Sequence, residues 1–176
     1  SREYSAAFAT RELLWQRAVE LDPSDSGIVN QLALALQTDG RHSEAAALFD
    51  TATALRPDFA DAWSNAGRSL LEMGRFEEAL PRWDTAIRFH ENHRDAWLNR
   101  GVAYERHGRL AEASRDYQHV LASHPGCANA WYNYGNLQEK LGRTIEAQVC
   151  FRNAVKLQPR QPGLSLSLSL SLSLSL

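Results

Sequence analysis

The chain has 176 residues, is 44% apolar and 23% charged, and carries a net charge near −2. That balance predicts one soluble domain with enough core to fold, and the lack of an 18-residue apolar run or a secretory signal argues against a membrane span or export. A near-neutral chain also lacks the basic stripe that a phosphate backbone requires, so nucleic acid is not expected as a partner.

A step of 34 residues organises everything that follows. Residues 4 to 20, with Trp15 and Ala18, read as the second helix of a pair whose first helix is missing, closed by Pro23. The chain also begins at Ser1 rather than at a methionine, the pattern of a piece cut from a longer protein. Next come Ser24, Asp58, Asn92 and Gly126, 34 apart and each ahead of an apolar run. They are acceptable N-caps and predict first helices that begin near Ser26, Ala60, Arg94 and Ala128. Each of these helices is expected to stop at Gly40, Gly74, Gly108 or Gly142, because a left-handed residue is needed there and glycine meets no Cβ penalty. The second helices carry Phe49, Trp83, Tyr117 and Phe151, in step with Trp15, and run to Pro57, Glu91, Pro125 and Pro159.

Small residues keep the same step at Ala33, Gly67, Gly101 and Gly135, at Ala45, Ala79, Ala113 and Ala147, and at Ala18, Ala52, Ala86 and Ala154 with Val120. They mark close approach of two helix backbones. The large aromatics, including Trp63, Trp97 and Trp131 in a column that starts with Val29, are expected to fill the space between neighbouring pairs. One pair cannot bury its own apolar stripe, so the pairs must stack.

A 34-residue step with these residues resembles the tetratricopeptide repeat family, whose pattern is an aromatic, a Leu-Gly pair, a Tyr, then Ala, Phe, Ala and Pro. The resemblance implies an all-α, right-handed α-solenoid of helix-turn-helix repeats with a concave and a convex surface. It covers residues 1–161 as a half repeat (4–25) and four full repeats (26–59, 60–93, 94–127 and 128–161), leaving 162–176 as a tail. Three positions depart from the family pattern: Arg100 replaces the usual Leu, Glu91 the proline, and Gln138 a common Tyr. Arg100 is expected to pack its aliphatic stem while its guanidinium reaches solvent or a carboxylate, or else to bind an anion in the groove. Pro81 falls early in a second helix, where a missing N–H costs little.

In this family the first helix of each repeat lines the concave surface. Two residues after each member of the Trp column stands Gln31, Asn65, Asn99 or Asn133, again 34 apart. A carboxamide has one acceptor and two donors, so it can grip the C=O and N–H of a peptide unit without reading its side chain. The series is similar to the asparagine ladder of O-linked N-acetylglucosamine transferase repeats, although Gln31 makes the first rung irregular; kinesin light chains have related grooves. The alternative is that these amides bond backbone groups or water between helices. Arg68, Tyr132 and Asn136 would supply selectivity beside the ladder. The carboxylate clamp of co-chaperone members needs a Lys at the position that reads Asn30, Ser64, Leu98 and Tyr132 here, so a co-chaperone role is disfavoured, while Arg68 keeps the capacity to pair an acidic ligand residue.

Nothing catalytic completes itself. His90 and His93, with His107 further on, are not completed into a recognisable metal set by any carboxylate or Cys, and Cys127 and Cys150 lack metal-type spacing. The expectation is no enzyme, no cofactor and no metal, with reduced thiols in a cytoplasmic or other reducing compartment. The expected partner is a protein or extended peptide held in the groove. The alternatives are the substrate-targeting arm of a larger enzyme such as a glycosyltransferase, or an architectural scaffold that self-associates. The strict Leu-Ser alternation from Leu164 to Leu176 puts every Leu on one face of an extended strand. It is either a non-native or unstructured appendage, or a ligand-like strand in a concave groove, and in the latter case it joins the uncapped end helices as a route to homo-oligomers.

Overall fold

The structure, a computed structural model, describes residues 2–159. Among them nine α-helices follow one another without a strand: α1 (Arg2–Leu21), α2 (Ser26–Thr38), α3 (His42–Leu55), α4 (Ala60–Glu72), α5 (Phe76–Phe89), α6 (Arg94–Arg106), α7 (Leu110–Ser123), α8 (Ala128–Lys140) and α9 (Thr144–Leu157). The fold is all-α. The Leu-Ser tail and the end of the last expected repeat lie outside the described residues. The chain divides into two compact units, one up to Ala96 and one from Trp97 on.

Every first helix ends in the same way. Gly40, Gly74, Gly108 and Gly142 take φ between 72° and 77°, and the following amide reaches back past the last turn, as in Arg41 N to Leu36 O at 3.0 Å and Arg75 N to Leu70 O at 2.9 Å. This reversed closure consumes carbonyls the helix would otherwise leave open. The arginines that carry those amides recur every 34 residues, and Arg41, Arg75 and Arg109 each chelate a glutamate three residues on, Glu44, Glu78 and Glu112.

The first helices begin at Ser26, Ala60, Arg94 and Ala128 as expected, but their caps stand one residue later than the sequence reading placed them. Ser24 and Asp58 are not N-caps; Asp25, Phe59 and Cys127 are, and His93 directly precedes α6. The predicted column sits instead at the third position of a β-turn closed by Asp25 N to Asp22 O, Phe59 N to Arg56 O, His93 N to His90 O and Cys127 N to His124 O. Proline occupies the position before it in three of the four, which is why the motif recurs. A true side-chain cap survives at Asp25, whose Oδ1 accepts from Gly27 N at 2.7 Å and Ile28 N at 3.1 Å.

In the first unit α3 packs against α2 and α4, and α5 against α4. Its core gathers Val29, Ala33, Leu36, Ala45, Phe49, Ala52, Ala62 and Ala66. Each second-helix aromatic lies on the small residue of its own first helix. A Cβ on Gly67 would fall 2.7 Å from the Trp83 ring, and Trp83 Nε1 donates to Ser64 O at 3.1 Å. In the second unit the same contact recurs, with Gly101 under Tyr117 and Gly135 under Phe151 at 2.8 Å and 2.6 Å. All these rings are fully buried. The other aromatic column behaves differently from the expectation: Trp63, Trp97 and Trp131 are only half-buried. Two of their indoles anchor the preceding turn instead, Trp63 Nε1 to Pro57 O at 2.8 Å and Trp131 Nε1 to Pro125 O at 2.9 Å.

Candidate functional site

In the first unit Gln31 is exposed on α2 and Asn65 is half-buried on α4. Their carboxamides make no hydrogen bond to a described residue. Arg68, one turn beyond Asn65, is not a loose side chain: its guanidinium donates to Gln37 Oε1 on α2. Gln37, 5% exposed, in turn donates its Nε2 to Ser69 Oγ at 2.7 Å and to Asn65 O at 3.0 Å. One amide therefore ties α2 to α4 and fixes the arginine from behind. No carboxylate among the described residues pairs with Arg68, so most of its five donors remain open to a ligand. The sequence reading passed over Gln37, although Gln37, Leu71, Glu105 and Glu139 are again 34 apart and lie three residues beyond the Arg68 column.

The second unit holds Asn99 on α6 and Tyr132, Asn133 and Asn136 on α8, all half-buried. The carboxamides of Asn99, Asn133 and Asn136 have no hydrogen bond to a described residue. Tyr132 lies 5.8 Å from the Phe151 ring. Here the residue equivalent to Gln37 is Glu105, which receives the Tyr117 hydroxyl at 2.8 Å and the Lys140 ammonium. Burial, and after it the Glu105 carboxylate, push the Tyr117 phenol well above its usual range. Arg100 resolves between its two readings: its guanidinium grips Asp116 through two bonds of 2.8 Å and lies over Trp97.

The histidines gain a carboxylate that the sequence did not reveal. Asp61, 32 residues upstream, accepts from His93 Nε2 at 2.9 Å, beside a recess of about 340 Å³ that His90 also lines. The other ring nitrogen of His93 accepts from Ala96 N at 3.1 Å, so both nitrogens are engaged and the ring serves as a helix cap. Among the described residues no group of three or more His, Cys, Asp or Glu side chains is arranged to hold a metal ion. Cys127 and Cys150 are free thiols, and burial, with Glu146 adding to it, pushes Cys150 up to about 11. No described helix is long and apolar enough to cross a membrane.

Comparison with known proteins places this geometry. No curated protein matches the sequence. Among solved structures, a thermophilic TPR protein in Thermus thermophilus is 20% identical with a TM-score of 0.83, over 97% of this chain and 94% of that one. The MamA structure is 19% identical with a TM-score of 0.75, over 90% and 93%. YrrB, described as a TPR protein with an unusual peptide-binding site, is 23% identical with a TM-score of 0.68, over 93% and 84%. These likenesses are of fold, that of an all-α solenoid of helical repeats. Family models for the tetratricopeptide repeat match residues 12–58, 30–71, 64–117 and 128–161. With the period, the left-handed glycines and the buried ring-on-glycine contacts in the same places, the chain belongs to the tetratricopeptide repeat family.

Proposed function

We propose that this chain is a non-enzymatic interaction module that holds an extended peptide, or an extended segment of a partner protein, along the concave side of its first helices. Tetratricopeptide repeats are protein-interaction modules, and the neighbour YrrB is described as having a peptide-binding site. The observation that carries the reading is the set of half-buried carboxamides of Asn65, Asn99 and Asn133, 34 residues apart and without a hydrogen bond to any described residue. A partly desolvated amide without an internal partner has its bonding capacity left for a ligand backbone. Gln31 extends the series at its exposed end, and Arg68, Tyr132 and Asn136 add side-chain selectivity. The two free thiols support a reducing compartment such as the cytoplasm.

The test is a peptide selected from a random display library on the intact chain, titrated against wild type and against Asn99→Ala with Asn133→Ala. Two carboxamides making two bonds each, at about 0.5–1 kcal/mol per bond, are worth about 2–4 kcal/mol, or about 30- to 1,000-fold in Kd. The melting temperature is expected to stay within about 2 °C, as for surface changes. A double variant that keeps full affinity while melting several degrees lower would show the amides to be structural.

A further inference from the structure

The last repeat presents an exposed apolar surface apart from the proposed groove. Leu141, Ile145 and Val149 are 39%, 74% and 46% exposed. Ile145, Val149, Arg152 and Lys156 share one side of α9, within about 60° of each other at about 100° per residue. The same columns elsewhere show that stacking does not explain this stripe. Ser43 and Ala47 stay exposed although α4 follows them, and Ala111 and Arg115 stay exposed although α8 follows them. A further repeat stacked on α9 in the same way would therefore leave Ile145 and Val149 in water, where the other repeats place Ser, Glu, Ala, Pro or Arg. Exposed aliphatic side chains that adjoin one another, rather than scattered singly, are the kind of surface at which partners bind.

Two neighbouring features define what fits. A recess of about 600 Å³ is lined by Leu141, Leu110 and Ala111, with Arg143 and the paired Arg109 and Glu112 also on its walls. Charge is the second feature. Arg143 occupies the column in which Arg41, Arg75 and Arg109 chelate a glutamate, yet it makes no ion pair with Glu146, and neither Arg152 nor Lys156 pairs with a carboxylate among the described residues. An apolar stripe prolonged by unneutralised cations is complementary to an amphipathic helix whose apolar side is flanked by carboxylates. A recess that accepts a bulky side chain favours a folded protein segment over a lipid surface, to which only protruding residues contribute.

We infer that the outer side of α9 docks an acidic amphipathic helix of a partner protein, with one large apolar side chain seated beside Leu141. The probe is a synthetic helical peptide with leucines at i, i+4 and i+7 and glutamates on either side of them, compared with the same peptide carrying lysine for every glutamate. On the intact chain the glutamate peptide is expected to bind at least tenfold tighter than the lysine peptide. Ile145→Asp with Val149→Asp, at positions exposed enough to leave folding intact, removes at least tenfold of that affinity. Arg152→Glu with Lys156→Glu inverts the charge preference, and Asn99→Ala with Asn133→Ala leaves it unchanged, which separates this surface from the proposed groove. Equal binding of the two peptides, binding that survives the Asp pair, or no binding overturns the inference. So does Ile145-dependent sedimentation with phosphatidylserine vesicles in place of peptide binding, or Ile145-dependent self-association, which would make the occupant a membrane or a second copy.

Discussion

The buried ion pair of the third full repeat is the most sensitive point at which to test how the chain is held together. Arg100 and Asp116 are 13% and 4% exposed, and two 2.8 Å bonds join them in parallel. Removing one partner leaves a charge out of water without its counter-ion, which costs ~3–5 kcal/mol. Asp116→Ala and Arg100→Leu should each lose that much. For a chain of this length the loss lowers Tm by about 2–4 °C per kcal/mol, so by roughly 6–20 °C. The double change Arg100→Leu with Asp116→Leu has an internal precedent, because the same two columns in the first full repeat hold Leu32 and Leu48. Replacing a buried pair by packed aliphatics is neutral or favourable, so the double variant should return to within about 1 kcal/mol of wild type. Repeat arrays unfold piecewise, and the assay must be local: native-state hydrogen exchange of α6 and α7 amides, alongside urea melts. Additive losses in the double variant, or single losses below about 1 kcal/mol, would refute the claim that the two charges form one energetic unit.

Two further outcomes follow from contacts already described. Gly67→Ala gains about 1 kcal/mol of helix propensity but drives a Cβ to 2.7 Å from a Trp83 ring held in place by its N–H, and overpacking of that kind costs about 1–3 kcal/mol; a net loss is expected in urea melts, largely recovered by adding Trp83→Phe, which recreates the Ala33–Phe49 pair. Cys150, pushed up to about 11 by burial, keeps its proton in the folded chain where the unfolded thiol, near about 8.5, has lost it; stability is therefore whole below about pH 8.5 and falls as pH rises towards 11, and iodoacetamide at pH 9 should label Cys127 well before Cys150. Equal labelling rates of the two thiols would contradict the burial.

Most of the architecture was legible because each structural demand returns every 34 residues. A left-handed glycine, a small residue under a ring and a closing turn leave marks in composition that one repeat alone would not make convincing. The misplaced N-caps show the limit of that reasoning. Asp, Asn, Ser and Gly suit both the third position of a turn and an N-cap, and only the turn hydrogen bond, such as Phe59 N to Arg56 O, tells the two apart. The carboxamide series was visible by period. The grip of Gln37 on Arg68 was not, since 31 residues separate them and a buried Gln has no distinguishing neighbours in sequence. Asp61 escaped for the same reason: its contact with His93 spans 32 residues.

What separates fold from recognition in this chain is which columns tolerate change. Beneath the rings the residues are small without exception, Ala33, Gly67, Gly101 and Gly135, because the space there is already used. Other columns have no such constraint, and there the repeats diverge: Gln37 faces Arg68 where Glu105 faces Lys140, and Ile145 stands where Ser43, Glu77 and Ala111 do. A neutral amide behind an arginine leaves its charge for a ligand, whereas a carboxylate behind a lysine cancels it. The two units thus differ in the charge of one column, Gln37 against Glu105, while the cations they face come from different columns, Arg68 aligning with Asn136 and Lys140 with Thr38 and Glu72. It follows that exchanging Gln37 for Glu, the residue of the equivalent column in the second unit, should neutralise Arg68 internally and weaken any acidic ligand held there, at a cost in stability because a carboxylate cannot donate to Asn65 O as the Gln37 amide does. A Gln37→Glu chain that binds an acidic ligand as tightly as wild type would mean that Arg68 plays no part in selection.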